Sequence, residues 1–373
     1  MRNVDAAGLG IGDDHPPRIM GVLNVSAESP YKPSVFDDPG EAAQFVDESL
    51  VGEGADIVDV GLESANKRFE VLSAEGELER LDTAVETIES VSGDPVFSIE
   101  TRYHEVAEAA LDRGFDMVND ICGFADPEMP RVCEEYDAAV AKMASPPDLE
   151  RPGAVEEVDD IYDALSLNGF TDKTIVDPAF GGWSEDKTLA HDRETFERLR
   201  EFRGLGRPIL VSINRKNFLR DIAGRDTEGA LPVSLAATAM AVERGAHVVR
   251  THDVAETRDA ALVGEAFSRH RVRDPTVEEL DVTTEREAER HLDRVGGDSD
   301  AAAHAVTRVF EVTGLTADER ETLSALAVEH GARYVPGERG GLLVGTPGAL
   351  RGLSRDLPDA LDALSGVLRE SVE

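Results

Sequence analysis

Short apolar runs that end in polar residues recur along the chain. Ile19 to Asn24 is too short for a surface helix and ends on Asn24, with Ser26 and Glu28 beyond, which predicts a buried strand delivering polar groups at its C-terminal end. Asp56 to Gly61 leads to Glu63 and Ser64, Pro95 to Ile99 leads to Glu100, and Met117 with Val118 leads to Asn119 and Asp120. Ala139 to Ala141 precedes Lys142, and Thr174 to Val176 precedes Asp177. Ile209 to Val211 precedes Asn214, Arg215 and Lys216, while Val248 and Val249 precede Arg250, His252 and Asp253. Helix-length segments lie between them. Asp38 caps and Pro39 opens one that runs through Ala42 to Leu50; others cover Ala74 to Val91 and Tyr103 to Arg113. Asp126 and Pro127 open a fourth, followed by Ala154 to Leu167, Asp192 to Phe202, Ala230 to Arg244 and Ala255 to Arg269. About eight strands alternating with helices predict an α/β chain built as a (β/α)8 TIM barrel over residues 19–270, with its chemistry on the C-terminal rim.

Outside that region the pattern changes. Residues 1–18, with Gly8, Gly10, Gly12 and the pair Pro16 and Pro17, read as a loose lead-in. Residues 271–373 read as a small α+β domain. Its expected strands are Val277 to Val282, Arg333 to Val335 and Leu342 to Gly345; its expected helices are Glu285 to Val295, Ala301 to Val309, Ala317 to His330 and a terminal one from Leu357.

Charge narrows the partners. The chain carries 76 acidic and 38 basic residues, a formal net charge of −38, and the excess is spread along its whole length. Such self-repulsion destabilises a compact state in dilute salt, yet the apolar periodicity is that of a folded chain. The combination reads as a halophilic cytoplasmic protein whose interior salt screens the repulsion. The surface repels nucleic acid and anionic lipid, and no apolar run is long enough to span a bilayer, so neither partner is expected. Cys122 and Cys133 lack metal or redox spacing and read as packing residues.

The lysines add a second signal. Of the six, Lys32, Lys67, Lys142, Lys187 and Lys216 follow predicted strand ends, and only Lys173 precedes one. With Arg215, Arg250 and His252 they predict a cationic rim that attracts a phosphate or diphosphate inside an otherwise negative field. The blander reading is chance placement in loops.

These strand ends together resemble the dihydropteroate synthase family from Ile19 to about Phe267. The resemblance rests on Met20 to Ser26 followed by Glu28 and Ser29, on Gly54 to Gly61 with Glu63 and Ser64, on Ser98 to Thr101, and on Asn119 with Asp120. It continues through Asp177 to Gly181 with Lys187, Asn214 to Phe218, and Arg250 to Val254. Residues 277–290 and 342–353 also resemble, weakly, an accessory domain that accompanies some members.

The resemblance implies a transferase of folate biosynthesis that joins 6-hydroxymethyl-7,8-dihydropterin diphosphate to p-aminobenzoate and releases diphosphate. By it, Asn24 helps hold Mg2+, while Arg250 and His252 bind the diphosphate. Glu100, Asn119, Asp177 and Lys216 line the pterin pocket, and Asn214 and Arg215 approach the aminobenzoate. A homodimer is a further expectation. The family's Glu-Ser-Thr-Arg reads Glu63 to Asn66 here, so Lys67 or Arg68 is expected to supply the missing charge. Glu100 stands where the family has Asp, Asn214 where it has Ser, and the fifth strand ends Lys142, Met143, Ala144 instead of Met-His. Structural readings compete at several positions: Asn119, Asp120 and Asp177 as helix caps, Arg215 and Lys216 as a solvated pair, His252 as a packing residue. The competing functions are a non-catalytic pterin-binding paralogue, a synthase for another arylamine, and a pterin-dependent methyltransferase.

Overall fold

The computed structural model describes residues 3–25, 34–63, 71–149, 152–153, 155–181, 186–274 and 276–372. The chain divides into two compact units, Met1–His270 and Arg271–Glu373.

The first unit opens with a hairpin of β1 (Val4–Ala6) and β2 (Leu9–Ile11). Eight parallel strands follow: β3 (Arg18–Asn24), β4 (Ile57–Gly61), β5 (Val96–Thr101), β6 (Met117–Asp120), β7 (Ala139–Met143), β8 (Thr174–Asp177), β9 (Leu210–Val211) and β10 (Val248–Thr251). They pair in the order β8-β7-β6-β5-β4-β3-β10-β9, and a parallel bridge from Val176 to Ile209 joins the two ends into a closed barrel. Closure leaves no unpaired sheet edge.

Around the barrel run α1 (Pro39–Phe45), α2 (Ala74–Ser90), α3 (His104–Leu111), α4 (Met129–Glu135), α5 (Val158–Ser166), α6 (Leu189–Glu197), α7 (Asn217–Ala223), α8 (Leu231–Glu243) and α9 (Val254–Ala266). Three of them start at a capping side chain, Asp38 for α1, Ser73 for α2 and Thr188 for α6. In α2, Ser73 accepts from the Gly76 amide, and Leu81, Ala84, Val85 and Ile88 face the barrel at helical spacing. The α7 helix, directly after the Asn214–Lys216 motif, is an element the sequence pattern did not mark. Among the described residues, no helix is long and apolar enough to cross a membrane.

The lead-in expectation for residues 1–18 is corrected. Ala7 and Gly8 both have positive φ, 49° and 91°, the geometry of a two-residue hairpin turn matched to strand twist. Val4, Ala6 and Ile11 then join Met20, Ile57, Met117, Ile175 and Val248 in one apolar cluster at the N-terminal end of the barrel. The hairpin is a hydrophobic plug; three-residue strands are too short to announce themselves by periodicity.

The second unit holds an antiparallel sheet of β13 (Arg308–Val312), β14 (Arg333–Pro336) and central β15 (Gly341–Gly345), preceded by the short pair β11 (Arg273–Asp274) and β12 (Val277–Glu278). Its helices are α10 (Glu285–Val295), α11 (Ala317–Glu329), α12 (Pro347–Asp356) and α13 (Asp362–Ser371). Capping boxes at Thr284 with Glu287 and at Thr316 with Glu319 start α10 and α11. Leu323, Leu343, Leu350, Leu353 and Leu368 form the core. Three expectations change here. The strand Val277 to Val282 shrinks to Val277–Glu278. The helix Ala301 to Val309 splits into a 3-10 turn, Ser299–His304, and β13, whose β-branched residues Val309 and Val312 favour the sheet. The terminal helix expected from Leu357 begins at Asp362 as α13, after Pro358, and α12 before that proline was not expected.

Candidate active site

Alternation along the strands decides which side chains enter the barrel. Ile57, Val96, Met117, Ile175 and Val248 lie in the inner cluster with the plug. Residues two and four positions further on point the same way: Asp59 and Gly61, Ser98 and Glu100, Asn119, Asp177, and Arg250 and His252. The polar groups of the mouth therefore stand one and two layers above an apolar floor.

Asp59, fully buried, ties this assembly together. Its carboxylate accepts from Ser98 Oγ at 2.8 Å, Asn119 Nδ2 at 3.0 Å and Arg250 Nε at 2.7 Å. Arg250 donates a second hydrogen bond to Glu100 Oε2 at 2.5 Å. Burial pushes the Glu100 carboxyl above its usual range, against the pull of the Arg250 charge; Asp59 and Glu63 add to the rise. Burial works against the guanidinium as well, but Glu100 and Asp59 outweigh it and hold Arg250 protonated.

Above this network a cavity is lined by Glu100, Asn119, Asp177, Lys216 and Arg250, with Ser212, Ile121, Met143 and Phe180 completing the wall. Burial raises Asp177 to about 6, although it accepts from the Ala179 amide at 2.8 Å and faces Lys216 and Arg250. Lys216 is pushed down by its own burial and held up by Asp177. The site thus offers carboxylate and amide acceptors beside cations, a set able to pair with N–H donors and with an anion.

Asn24 and His252 meet across the neighbouring strands β3 and β10. Ser34, almost fully buried, bridges them: Asn24 Nδ2 donates to its Oγ at 3.4 Å, and that Oγ lies 3.1 Å from His252 Nδ1. Burial and the Arg250 charge push His252 down to about 3, so the ring is neutral near pH 7 and acts through a hydrogen bond, not a fixed charge. A Cβ at Gly61 would lie 3.0 Å from Asn24 Oδ1, so glycine there makes room for that oxygen.

The remaining expected residues fall elsewhere. Asn214 Nδ2 donates to Asp253 Oδ2 at 2.9 Å, and Arg215 makes a two-point pair with the same carboxylate, both bonds 2.8 Å. Arg215 also donates to the carbonyls of Thr227 and Glu228 at 2.8 and 2.9 Å. Neither residue lines the cavity. They clamp the loop after β9 to the end of β10, a positioning role for Lys216 between them and the pocket. Lys142 is corrected outright: Ala139 and Ala141 face inward, so alternation turns Lys142 outward. Its Nζ donates to the carbonyls of Leu167 and Gly169 beyond α5, under the rings of Phe124 and Phe170. It is a buried helix-end pin and no part of a rim. Lys187 is likewise buried, donating to the Ala179 carbonyl at 2.6 Å and lying near Asp192. Lys32, Lys67, Arg68 and Trp183 lie outside the described residues. Glu63 accepts from Arg102 at 2.7 Å and from the Leu72 amide at 3.0 Å, joining the two sides of segment 64–70.

Asp59, Ser34 and Ser212 were not singled out from the sequence. Asp59 carried a signal: it lies within the Gly54 to Gly61 motif, two residues beyond an inward Ile57. Ser34 carried none, because its place depends on how the loop after β3 returns to pair Val35 with Asn24.

The barrel mouth gathers hydrogen-bond acceptors and cations in one concave site at the C-terminal ends of its strands, the face on which (β/α)8 barrels carry their chemistry. Residues 20–252 match the family described as pterin binding enzyme, and the chain belongs to that family. A probable bifunctional folylpolyglutamate synthase/dihydropteroate synthase of Halobacterium salinarum is 34% identical over 265 residues, 66% of this chain and 31% of that protein. This chain therefore spans about a third of that relative. Dihydropteroate synthase of Clostridium beijerinckii is 31% identical over 258 residues, 67% of this chain and 94% of that enzyme. Among solved structures, a dihydropteroate synthase of Coxiella burnetii in complex with pteroic acid superposes with a TM-score of 0.60 at 27% identity, covering 71% of this chain and 98% of that one.

Proposed function

We propose that the chain is a dihydropteroate synthase, condensing 6-hydroxymethyl-7,8-dihydropterin diphosphate with p-aminobenzoate. The observation that carries this reading is the single cavity in which Asp177, Glu100 and Asn119 stand beside Lys216 and Arg250. The acceptors pair with the amino and ring N–H groups of the pterin, which fixes the ring while the cations face the diphosphate. Cleavage of the methylene C–O bond sends its electron pair to the departing diphosphate and leaves a cation that the ring stabilises. The arylamine lone pair then forms the C–N bond and the amine releases a proton. Protein catalysis in such a step is leaving-group stabilisation and alignment.

The donor chemistry at the end of β3 suits Mg2+. Asn24 offers a hard carbonyl oxygen while its amide nitrogen is taken by Ser34, and a Mg2+ site of one protein oxygen, waters and substrate oxygens is the usual arrangement beside a diphosphate. Bound there, the ion would neutralise charge on the leaving group.

The test is diphosphate release by the full chain in molar KCl with Mg2+ and both substrates. Turnover that requires the arylamine and disappears in Lys216→Ala supports the synthase. Pterin binding without release of diphosphate overturns it in favour of a non-catalytic member.

A further inference from the structure

The cavity wall that follows Asp177 is held in an unfavourable backbone shape. Ala179 has φ 60°, in the left-handed region that alanine rarely adopts. Gly181, with φ 82°, turns left-handed again, and a Cβ there would lie 3.2 Å from Lys216 Nζ. Ala179, Phe180 and Gly181 all line the cavity beside Asp177. A strained residue of this kind persists only where its surroundings fix it.

Two side chains that do not themselves line the cavity fix this one. Lys187 Nζ donates to the Ala179 carbonyl at 2.6 Å, and Asp192 accepts from the Gly181 amide at 3.0 and 3.1 Å. Lys187 and Asp192 lie 3.7 Å apart, with side chains only 1% and 4% exposed. Asp177 holds the other side of the strained residue, accepting from the Ala179 amide through Oδ1. Both polar groups of Ala179 are thus pinned, the N–H by a carboxylate of the cavity and the carbonyl by a buried ammonium. With Oδ1 engaged by that amide, the direction of the second Asp177 oxygen follows the Ala179 peptide.

Burying an ammonium is costly. Burial pushes Lys187 down, and Asp192 and then Asp177 hold it up. An apolar side chain would fill the same space at lower cost, so the charge serves the hydrogen bond it makes. Resting on the pterin-site reading above, we propose that Lys187 is a positioning residue for Asp177: it locks Ala179 in the left-handed conformation and so aims the second Asp177 oxygen at the N–H donors of the pterin.

Calorimetry of 6-hydroxymethylpterin binding to the full chain in molar KCl tests this. Lys187→Met should weaken binding about 10- to 100-fold, the scale of one misaimed buried hydrogen bond. Adding Ala179→Gly to that variant should bring affinity back to within about three-fold of wild type, because glycine takes the left-handed conformation without a clamp. The loss should persist at about pH 8, above the Asp177 value of about 6, since Lys216 and Arg250 still face that carboxylate. If Lys187→Met does not fold with Asp192 left unpaired, Lys187→Met combined with Asp192→Asn carries the same comparison, because an asparagine oxygen still accepts from Gly181.

Unchanged affinity, a loss that Ala179→Gly does not repair, or a loss that vanishes at the higher pH overturns the proposal; the last would mean that Lys187 acts only through its charge. Wild-type protein that binds no pterin would remove the site reading and the clamp together. Pterin affinity reads the clamp and diphosphate release reads the synthase, so either claim can also fail alone.

Discussion

Arg250 and Asp59 form an ion pair at 2.7 Å in the barrel wall, with the Asp59 carboxylate at 0% exposure. The same carboxylate holds Asn119 and Ser98, so one residue sets the positions of a cation and an amide that both line the cavity. Asp59→Asn keeps the shape and removes the charge. The expected result is a stability loss of up to about 3 kcal/mol, since a buried cation loses a partner. Affinity for the dihydropterin diphosphate should fall about 10- to 100-fold, the scale of one lost charge-assisted hydrogen bond, because Arg250 loses its anchor. Denaturant midpoints and equilibrium pterin binding measure the two separately; normal binding in the variant would show that Glu100 alone orients Arg250.

Glu100 reaches Arg250 at 2.5 Å with its longer side chain. Glu100→Asp withdraws the carboxylate from the guanidinium, and kcat/KM for the pterin substrate is expected to drop by about 10- to 100-fold. A rise in kcat/KM would mean that the extra methylene is a defect.

Asp177 gives a pH signature. Its folded value is near 6 and its ordinary value is 3.8, so between those values the folded state binds more protons than the unfolded state. Stability from this group is therefore present below about 3.8 and lost as pH rises toward 6. Binding runs the other way: the ionised form accepts from ring N–H groups, so pterin affinity should rise through about pH 6. Glu100 is also raised, and the limb belongs to the coupled carboxylates together. Asp177→Asn should flatten the stability difference between pH 4 and pH 7 relative to wild type and shift the binding limb. An unchanged limb would assign it to other groups.

Most of this barrel was legible because each strand buries one face on an apolar floor, and the polar residues that end the strands keep the same parity. Glu100, Asn119, Asp177 and Arg250 obey that rule and converge. Lys142 shows what position at a strand end misses without parity: one residue off the inward row, it leaves the barrel. Asp59 was overlooked for the complementary reason, standing a layer below the rim. Arg215 could not be placed from its motif, because its partner Asp253 is 38 residues away and only the closed barrel brings them together.

Lys142 offers a clean separation of structure from chemistry. Lys142→Met fills similar volume but leaves the Leu167 and Gly169 carbonyls without their donor, a loss of about 1–3 kcal/mol. Burial holds the lysine down to about 8, so its own contribution rises with pH between about 8 and 10.5, where the folded state binds fewer protons. The variant should melt earlier, with a smaller gap at pH 7 than at pH 10, and retain diphosphate release once folded. Loss of turnover in the folded variant would return Lys142 to the site.

Salt should act on the fold through its charge. At about 0.01 M salt the screening length is about 30 Å, so charges repel across most of a domain; at about 1 M it is about 3 Å and only neighbours interact. With a net charge of −38, the melting midpoint is expected to climb steeply with KCl and level off near molar concentration. Neutralising surface acids should reproduce part of that climb in dilute buffer: a variant with Glu105, Glu108, Glu134 and Glu135 changed to Gln should need less KCl to reach the same midpoint. Glu135 is paired with Arg131 and Glu105 lies 3.3 Å from His104, exposed contacts whose loss costs under about 1 kcal/mol each, so the repulsion term should dominate. A midpoint independent of KCl in both proteins would show that the acidic surface is balanced within the fold and not by the solvent.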